Sequence, residues 1–195
     1  IARTKKTIAM KTNNLLSIFL IAVTTTANAQ NEFDLNKGGI TWTGSEIVKS
    51  HTGSLKFSSA SLSLDDINTP QGVFTVDMTS LTNDDMTGVY KNKLEGHLKS
   101  DDFFSVEKYP QAILVITKVN SQNKNSYGLT GDLTIKGITH PVDFNLTVYS
   151  DRIESNLTFD RSKYDVQFRS GSFFENLGDK LILDDITLEV TLQKI

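Results

Sequence analysis

Three histidines, His51, His97 and His140, are the side chains of this sequence best suited to hold a metal or to move a proton near neutral pH. They fall on three different elements: His51 just ahead of a strand, His97 at the edge of a helical stripe, and His140 in a turn, where surface exposure is expected. No pair has the i, i+4 or short-loop spacing of a metal site. Carboxylates come in adjacent pairs: Asp65-Asp66, Asp84-Asp85, Asp101-Asp102 and Asp184-Asp185. Neighbours in a strand point to opposite faces, so a consecutive pair makes no acid–base dyad, and turns, caps and solvation account for these. There is no cysteine, hence no disulfide framework, no thiolate metal site and no lipid-bearing thiol. The calcium-loop pattern D-x-D-x-D-G and the motifs G-x-S-x-G, G-x-x-x-x-G-K and H-E-x-x-H are all missing. The expectation is a protein that is not an enzyme and uses no metal or other cofactor. A base and nucleophile must converge within hydrogen-bond reach for catalysis, and nothing in the spacing brings such groups together.

Aromatic residues carry more information. Phe103-Phe104 follows a helical stretch where a loop would ordinarily be polar, so the pair either seals one end of a core or lines its entrance. Trp42 lies on the first strand and is expected to plug one end of the fold.

The elements that position these residues are read from periodicity. Val142, Phe144, Leu146 and Val148 alternate with polar neighbours; so do Ile186, Leu188, Val190 and Leu192, and Phe74, Val76 and Met78. Such alternation gives each strand one apolar face. About eight strands are expected, over residues 40–49, 53–65, 72–80, 111–120, 126–136, 141–150, 152–161 and 180–194, separated by turn signals such as Thr69-Pro70-Gln71-Gly72 and Ser170-Gly171. The one long interruption is residues 89–100, where Tyr90, Leu94 and Leu98 form a helical stripe, with Asp84-Asp85 favouring the helix start and Pro110 ending it. A second short helical or irregular piece is expected over residues 173–178. Eight antiparallel strands form either a sandwich or a closed barrel. Strands this long suit an up-and-down barrel, which has no open edge. Alternation alone does not separate a side-chain-filled barrel from one with a cavity.

The first 29 residues read as an export signal. Met10-Lys11 opens a basic segment, residues 15–23 are apolar, and Ala27-Asn28-Ala29 has the small-x-small form that precedes cleavage, with residues 1–9 an over-extended start. The apolar run is too short to span a bilayer, which takes about 20 residues. Residues 30–195 are then one domain. Losing Arg3, Lys5, Lys6 and Lys11 with the signal takes the formal charge from -3 to -7, which argues against nucleic acid and anionic membrane surfaces as partners.

Three stretches resemble the YceI-like family: Trp42-Thr43-Gly44 with His51-Thr52-Gly53; residues 93–110, ending in Phe103-Phe104 and Tyr109-Pro110; and residues 127–142, which contain Gly131-Asp132-Leu133-Thr134-Ile135 and His140-Pro141-Val142. The resemblance spans residues 30–195. It departs from the family pattern at residues 86–93 ahead of the helix and at Arg161-Ser162-Lys163-Tyr164-Asp165-Val166. It implies an all-β, eight-stranded, antiparallel lipocalin-like barrel with a short covering helix, and no catalytic residues. It further implies a periplasmic or secreted binding protein that sequesters or carries a long apolar lipid: a polyisoprenoid, an isoprenoid quinone or a fatty amide. The alternative is a non-enzymatic envelope interaction or stress module built on a solid barrel. A membrane-spanning role is not expected; the sequence does not fix the oligomeric state, and a homodimer is one option.

Register gives the expected pocket lining. A strand with one apolar face turns it inward, because the opposite choice exposes several large side chains. The set is Phe57, Phe74, Val76, Met78, Ile113, Val115, Leu133, Ile135, Phe144, Leu146, Val148, Leu157, Phe159, Leu188 and Val190, with Leu94, Leu98, Phe103 and Phe104 covering one end.

Overall fold

A computed structural model describes residues 30–31, 33–63 and 71–195. The export segment, Asp65-Asp66 and Thr69-Pro70 lie outside the described residues. The strands are β1 (Gln30–Asn31), β2 (Phe33–Glu46), β3 (Ser50–Ser63), β4 (Gln71–Asn83), β5 (Gln111–Asn123), β6 (Ser126–Ile135), β7 (Ile138–Val148), β8 (Arg152–Asp160) and β9 (Ile182–Lys194), and α1 (Gly88–Lys99) sits between β4 and β5. Every pairing between these strands is antiparallel. The strands from β2 to β9 run round in the order β3-β2-β9-β8-β7-β6-β5-β4, and β3 pairs with β4 to close an eight-stranded barrel. The two-residue β1 continues the free edge of β3, opposite Leu62 and Ser63.

Cross-strand partners share a face, so the inner wall can be followed from strand to strand. Gly53 on β3 faces Trp42 on β2, which faces Leu188 on β9; Leu188 faces Leu157 on β8, which faces Phe144 on β7, and Phe144 faces Leu129 on β6. All are buried except the half-buried Leu188. Each such large apolar side chain stabilises the fold by about 1.5–3 kcal/mol relative to exposure, which is why the alternation fixes the register.

β5 departs from the expected register. Leu114 faces Phe74 and Leu133, and Ala112 faces Val76, so Ala112, Leu114 and Ile116 form the inner set. Val115 faces Val73 and Asp132 on the outside and is 37% exposed. The run from Ala112 to Ile116 is apolar on both faces and carries no alternation, so its orientation comes from the neighbouring strands.

The helix begins one residue earlier than its periodicity indicates. Leu98 is buried and Leu94 half-buried, but Tyr90 is exposed. Asp85 does not cap the helix. Its carboxylate accepts from His51 Nδ1 (2.8 Å) and from the Thr52 N–H, tying the helix entry to β3. After the helix the backbone folds back: Phe104 N–H donates to Leu98 O, Val106 N–H to Lys99 O and Ser105 N–H to Ser100 O. This turns Phe103 and Phe104 inward, where both are buried and meet edge to face at 5.0 Å. Between β8 and β9 the helical pieces are 3-10 turns at Arg161–Tyr164 and Gly178–Lys180, and residues 173–177 are irregular, as expected. Among the described residues, no helix is long and apolar enough to cross a membrane.

Candidate ligand-binding cavity

The barrel is not filled to its axis. A cavity of about 180 Å³ runs inside it, bordered by residues of β2, β3, β4, α1, β5 to β9 and the segments that follow α1 and β8. Its wall is almost wholly apolar. Phe57, Phe74, Val76, Met78, Leu133, Ile135, Phe144, Leu146, Leu157, Phe159, Leu188 and Val190 lie along it as the register expects, and Leu94, Leu98, Phe103 and Phe104 close the helix end. Ile113 borders it, although its cross-strand partners Thr75 and Thr134 belong to the outer set. Val115 does not border it, for the register reason given above. Val148 does not either: it is half-buried at the end of β7 and packs against the core beside Ile153.

Several lining residues stand outside the expected set. Ile40, Leu55, Leu81, Ile153 and Ile186 extend the same alternation by one or two positions. Arg161 and Ser155 also line the cavity, and both were legible by parity, since Ile153, Ser155, Leu157, Phe159 and Arg161 are successive odd positions along β8 and its extension. Gly44, Ser45, Glu46, His51, Ile182 and the 41% exposed Leu183 line it between the β2–β3 hairpin and the start of β9, at the same end of the barrel as α1.

A family model for the YceI-like domain matches residues 31–194. The chain belongs to the YceI-like family. Curated relatives include a UPF0312 protein of Pseudomonas putida strain W619, 47% identical over 51 residues (26% of this chain and 27% of the relative), and one of Photorhabdus laumondii, 47% identical over 49 residues (25% of each). The aligned stretch thus spans about a quarter of the length of these relatives. Among solved structures, BcnA of Burkholderia cenocepacia superposes with a TM-score of 0.67 at 22% identity, covering 83% of this chain and 99% of its own. A polyisoprenoid-binding domain from Saccharophagus degradans gives 0.55 at 13% identity, covering 85% and 97%. At these identities the likeness is one of fold: an antiparallel barrel with a covering helix.

Within this YceI-like barrel the polar groups cluster at the helix end. Arg161 is fully buried. Its guanidinium donates to the carbonyls of Leu183 (3.2 Å), Val166 (3.0 Å) and Ile182 (3.1 Å), and Asp184 Oδ1 lies 3.2 Å away as the counter-charge. Burial pushes the guanidinium pKa down, opposed by Asp184 and Asp160. Asp184 is held in turn by the hydroxyls of Ser170 and Ser172, at 2.9 and 2.8 Å. The Arg161 guanidinium also sits 5.2 Å from the Phe103 ring centre, where a cation–π contact adds to the anchoring. This network joins the β8–β9 connection to β9, and the sequence departs from the family pattern here.

The three histidines sit in three different settings. His51 is at the rim, bonded to Asp85. Burial pushes the Asp85 carboxyl up, but the hydrogen bonds from His51, Asn83 and Thr52 outweigh this and hold it below the usual carboxylate range. His97 lines the cavity beside Leu98, at the edge of the helical stripe as expected. His140 is not a surface turn residue: it lies in β7, half-buried, with its ring edge on Tyr164 at 5.4 Å. No three His, Asp or Glu side chains converge as a metal-ligand group among the described residues.

Proposed function

We propose that this YceI-like chain binds and carries a long apolar lipid of isoprenoid type inside its barrel, without altering it chemically, in the periplasm or outside the cell. The observation that carries this reading is the cavity itself, a continuous apolar wall of eight strands closed by α1 and Phe103-Phe104. Burying hydrocarbon there is worth about 0.8 kcal/mol per methylene, so a carrier needs no reactive group. The polyisoprenoid-binding domain that shares the fold supports an isoprenoid as the ligand class. The export signal read from residues 10–29 supports the location.

The cavity volume sets a condition on the ligand. At about 180 Å³ it is of the same order as an engineered cavity of about 150 Å³ that admits one benzene. A long chain therefore enters only as the interior aromatics give way, Phe57 and Phe74 among them (ring centres 6.3 Å apart), or leaves part of its length outside the cavity.

The test is native mass spectrometry of protein purified under mild conditions, followed by organic extraction. A reproducible bound mass that extracts as an isoprenoid is expected. Repeated recovery of the bare chain, together with failure to take up added prenyl chains, refutes the proposal. Cell fractionation tests the location, which fails if the chain stays in the cytoplasm with residues 1–29 attached.

A further inference from the structure

Apolar side chains that solvent can reach are not spread evenly over this barrel. Among the described residues eleven large hydrophobic ones are exposed, and eight of these lie at the end that carries α1. The other three are Val73 and Val115, which face each other on the outer wall of β4 and β5, and Ile195. At the α1 end, Ile47 and the 78% exposed Val48 form the tip of the β2–β3 hairpin. Val89 and the 68% exposed Tyr90 stand on the first turn of α1, and Phe173 and Phe174 on the β8–β9 connection. Single apolar residues are ordinary on a surface, but this many gathered at one end mark a contact surface.

Backbone contacts hold these three tips beside one opening. Phe173 N–H and Phe174 N–H both donate to Ser170 O, Ser170 bridges to Ile182, and Ile182 pairs with Glu46 of the hairpin. The hairpin is tied to the helix entry by Asp84 N–H donating to Thr52 O and by the His51–Asp85 bond. Leu183, next to Ile182, lines the cavity, and among the described lining residues it alone is exposed, so the cavity meets the surface beside the tips. The charges here exclude attachment by a basic patch. Residues 46–50, 84–95 and 169–185 hold eight carboxylates against five lysines and arginines. Two of those lysines are matched in place, Lys49 by Glu46 and Lys91 by Glu95. An anionic surface is repelled, and attraction has to come from apolar burial. The apolar groups stand on three separate segments rather than on one helix or sheet face. A fluid interface receives each tip separately, whereas a second copy of the chain has to match all three at once.

We propose that the α1 end of the barrel docks on the surface of a zwitterionic phospholipid bilayer. Ile47, Val48, Val89, Phe173 and Phe174 enter the boundary between headgroups and acyl chains, and the amphipathic ring of Tyr90 sits at headgroup level. The proposal rests on the apolar-ligand reading above and deepens it. A chain that leaves the bilayer beside Leu183 passes onto the cavity wall without crossing water. Attachment through a few side chains is shallow and reversible, because its strength scales with the small apolar area buried, and a carrier has to let go of the membrane.

The experiment is flotation of the purified protein with vesicles of phosphatidylcholine, and with vesicles that also contain phosphatidylglycerol. The protein is expected to float with phosphatidylcholine, to do so equally at high salt, and to bind the phosphatidylglycerol vesicles more weakly at low salt. Ile47→Ser with Val48→Ser, or Phe173→Ser with Phe174→Ser, should each weaken partitioning by about tenfold. Val73→Ser with Val115→Ser removes exposed apolar groups from the side wall and should leave it unchanged. The same two α1-end pairs should slow the uptake of farnesol supplied in vesicles, but not of farnesol supplied from ethanol. Should a pair fail to fold, the comparison of the two vesicle types on the unmodified protein decides. Four results overturn the docking proposal: no flotation; tighter binding to phosphatidylglycerol that salt abolishes; an equal loss from the side-wall pair; or a dimer in sedimentation that Ile47→Ser with Val48→Ser dissociates, which assigns the face to a second copy. Each leaves the apolar-ligand reading standing as long as farnesol from ethanol is bound. Flotation with no farnesol uptake from either source upholds the docking and overturns that reading instead.

Discussion

Leu146 and Val115 make a paired test of whether the barrel interior is a cavity or a filled core. Leu146 is 2% exposed, lines the cavity, and lies between Tyr127 and Ser155 on the neighbouring strands. Enlarging a residue in a filled core costs roughly 1–3 kcal/mol through forced rotamers and backbone shifts. An unfilled cavity changes the arithmetic. At about 24 cal/mol per Å³, the 180 Å³ left open corresponds to about 4 kcal/mol of packing that the protein forgoes. The indole of Leu146→Trp can occupy part of that space and recover part of that energy. Its net effect on stability is therefore expected to stay within about 1 kcal/mol, while uptake of a prenyl probe falls by about tenfold or more. Val115→Trp is the control. It enlarges a residue on the outer face, and both stability and uptake should stay close to those of the parent, within about 0.5 kcal/mol for stability. Urea unfolding and probe displacement measured on the same two variants decide the matter. The reasoning is refuted if Leu146→Trp binds the probe as the parent does, or loses several kcal/mol. It is equally refuted if Val115→Trp blocks uptake, since that would place β5 in the opposite register.

Two further outcomes follow from the packing. Tyr164 is 1% exposed and its hydroxyl has no partner among the described residues; burial, with the Asp160 charge adding to it, pushes its pKa from 10.0 up to about 12. An unfolded chain releases that proton near pH 10 while the folded one keeps it, so stability fully present below pH 10 is lost as pH rises toward 12. At about 1.4 kcal/mol per pKa unit the loss approaches roughly 3 kcal/mol. Tyr164→Phe should remove this alkaline component and gain about 1 kcal/mol at neutral pH, as measured by denaturant unfolding at pH 7 and above pH 10; a clear loss at pH 7 would show that the hydroxyl does useful bonding. At Gly53, a Cβ would run into the Thr82 carbonyl oxygen on β4 and meet the Trp42 ring at 2.6 Å. Gly53→Ala should therefore cost at least 1–3 kcal/mol and change the fluorescence of Trp42, the sole tryptophan, whereas an unaltered spectrum and midpoint would contradict the close approach of β2 and β3.

The barrel was legible in the sequence wherever one face of a strand is polar. β7, β8 and β9 alternate cleanly, and there Phe144, Leu146, Leu157, Phe159, Leu188 and Val190 all border the cavity. On β5 the pattern fails because residues 112–116 are apolar throughout, and only pairing with Phe74 and Leu133 selects Leu114 over Val115. His140 departs from the expected surface turn for a different reason. The Lys136-Gly137 turn and Pro141 suggested a longer loop, but the turn is tight: Ile135 pairs with Ile138, and Pro141 opposite Asp132 lies within β7. The Arg161 network was visible only as a departure from the family pattern. Besides the nearby Val166 carbonyl, its partners lie some twenty residues away, at Ile182, Leu183 and Asp184, and nothing local announces such a contact.

The cavity rests on a property that alternation does not express, the size of the inward residues. Where the wall passes through Gly44, Ala112 and Ser155, small side chains sit at positions whose neighbours are large. Ala112 faces Val76, and Ser155 faces both Leu146 and Val190. A barrel selected only for stability would place Leu or Phe there, because each unfilled methyl-sized space costs about 1 kcal/mol. The space is instead kept open along the strands while the helix end is packed tightly, with Phe103, Phe104, Leu98 and Val166 all buried. Stability is thus concentrated where α1 and the β8–β9 connection cap the barrel and withheld along its axis. That division suits a container whose lid must hold its shape while its walls give way to a chain.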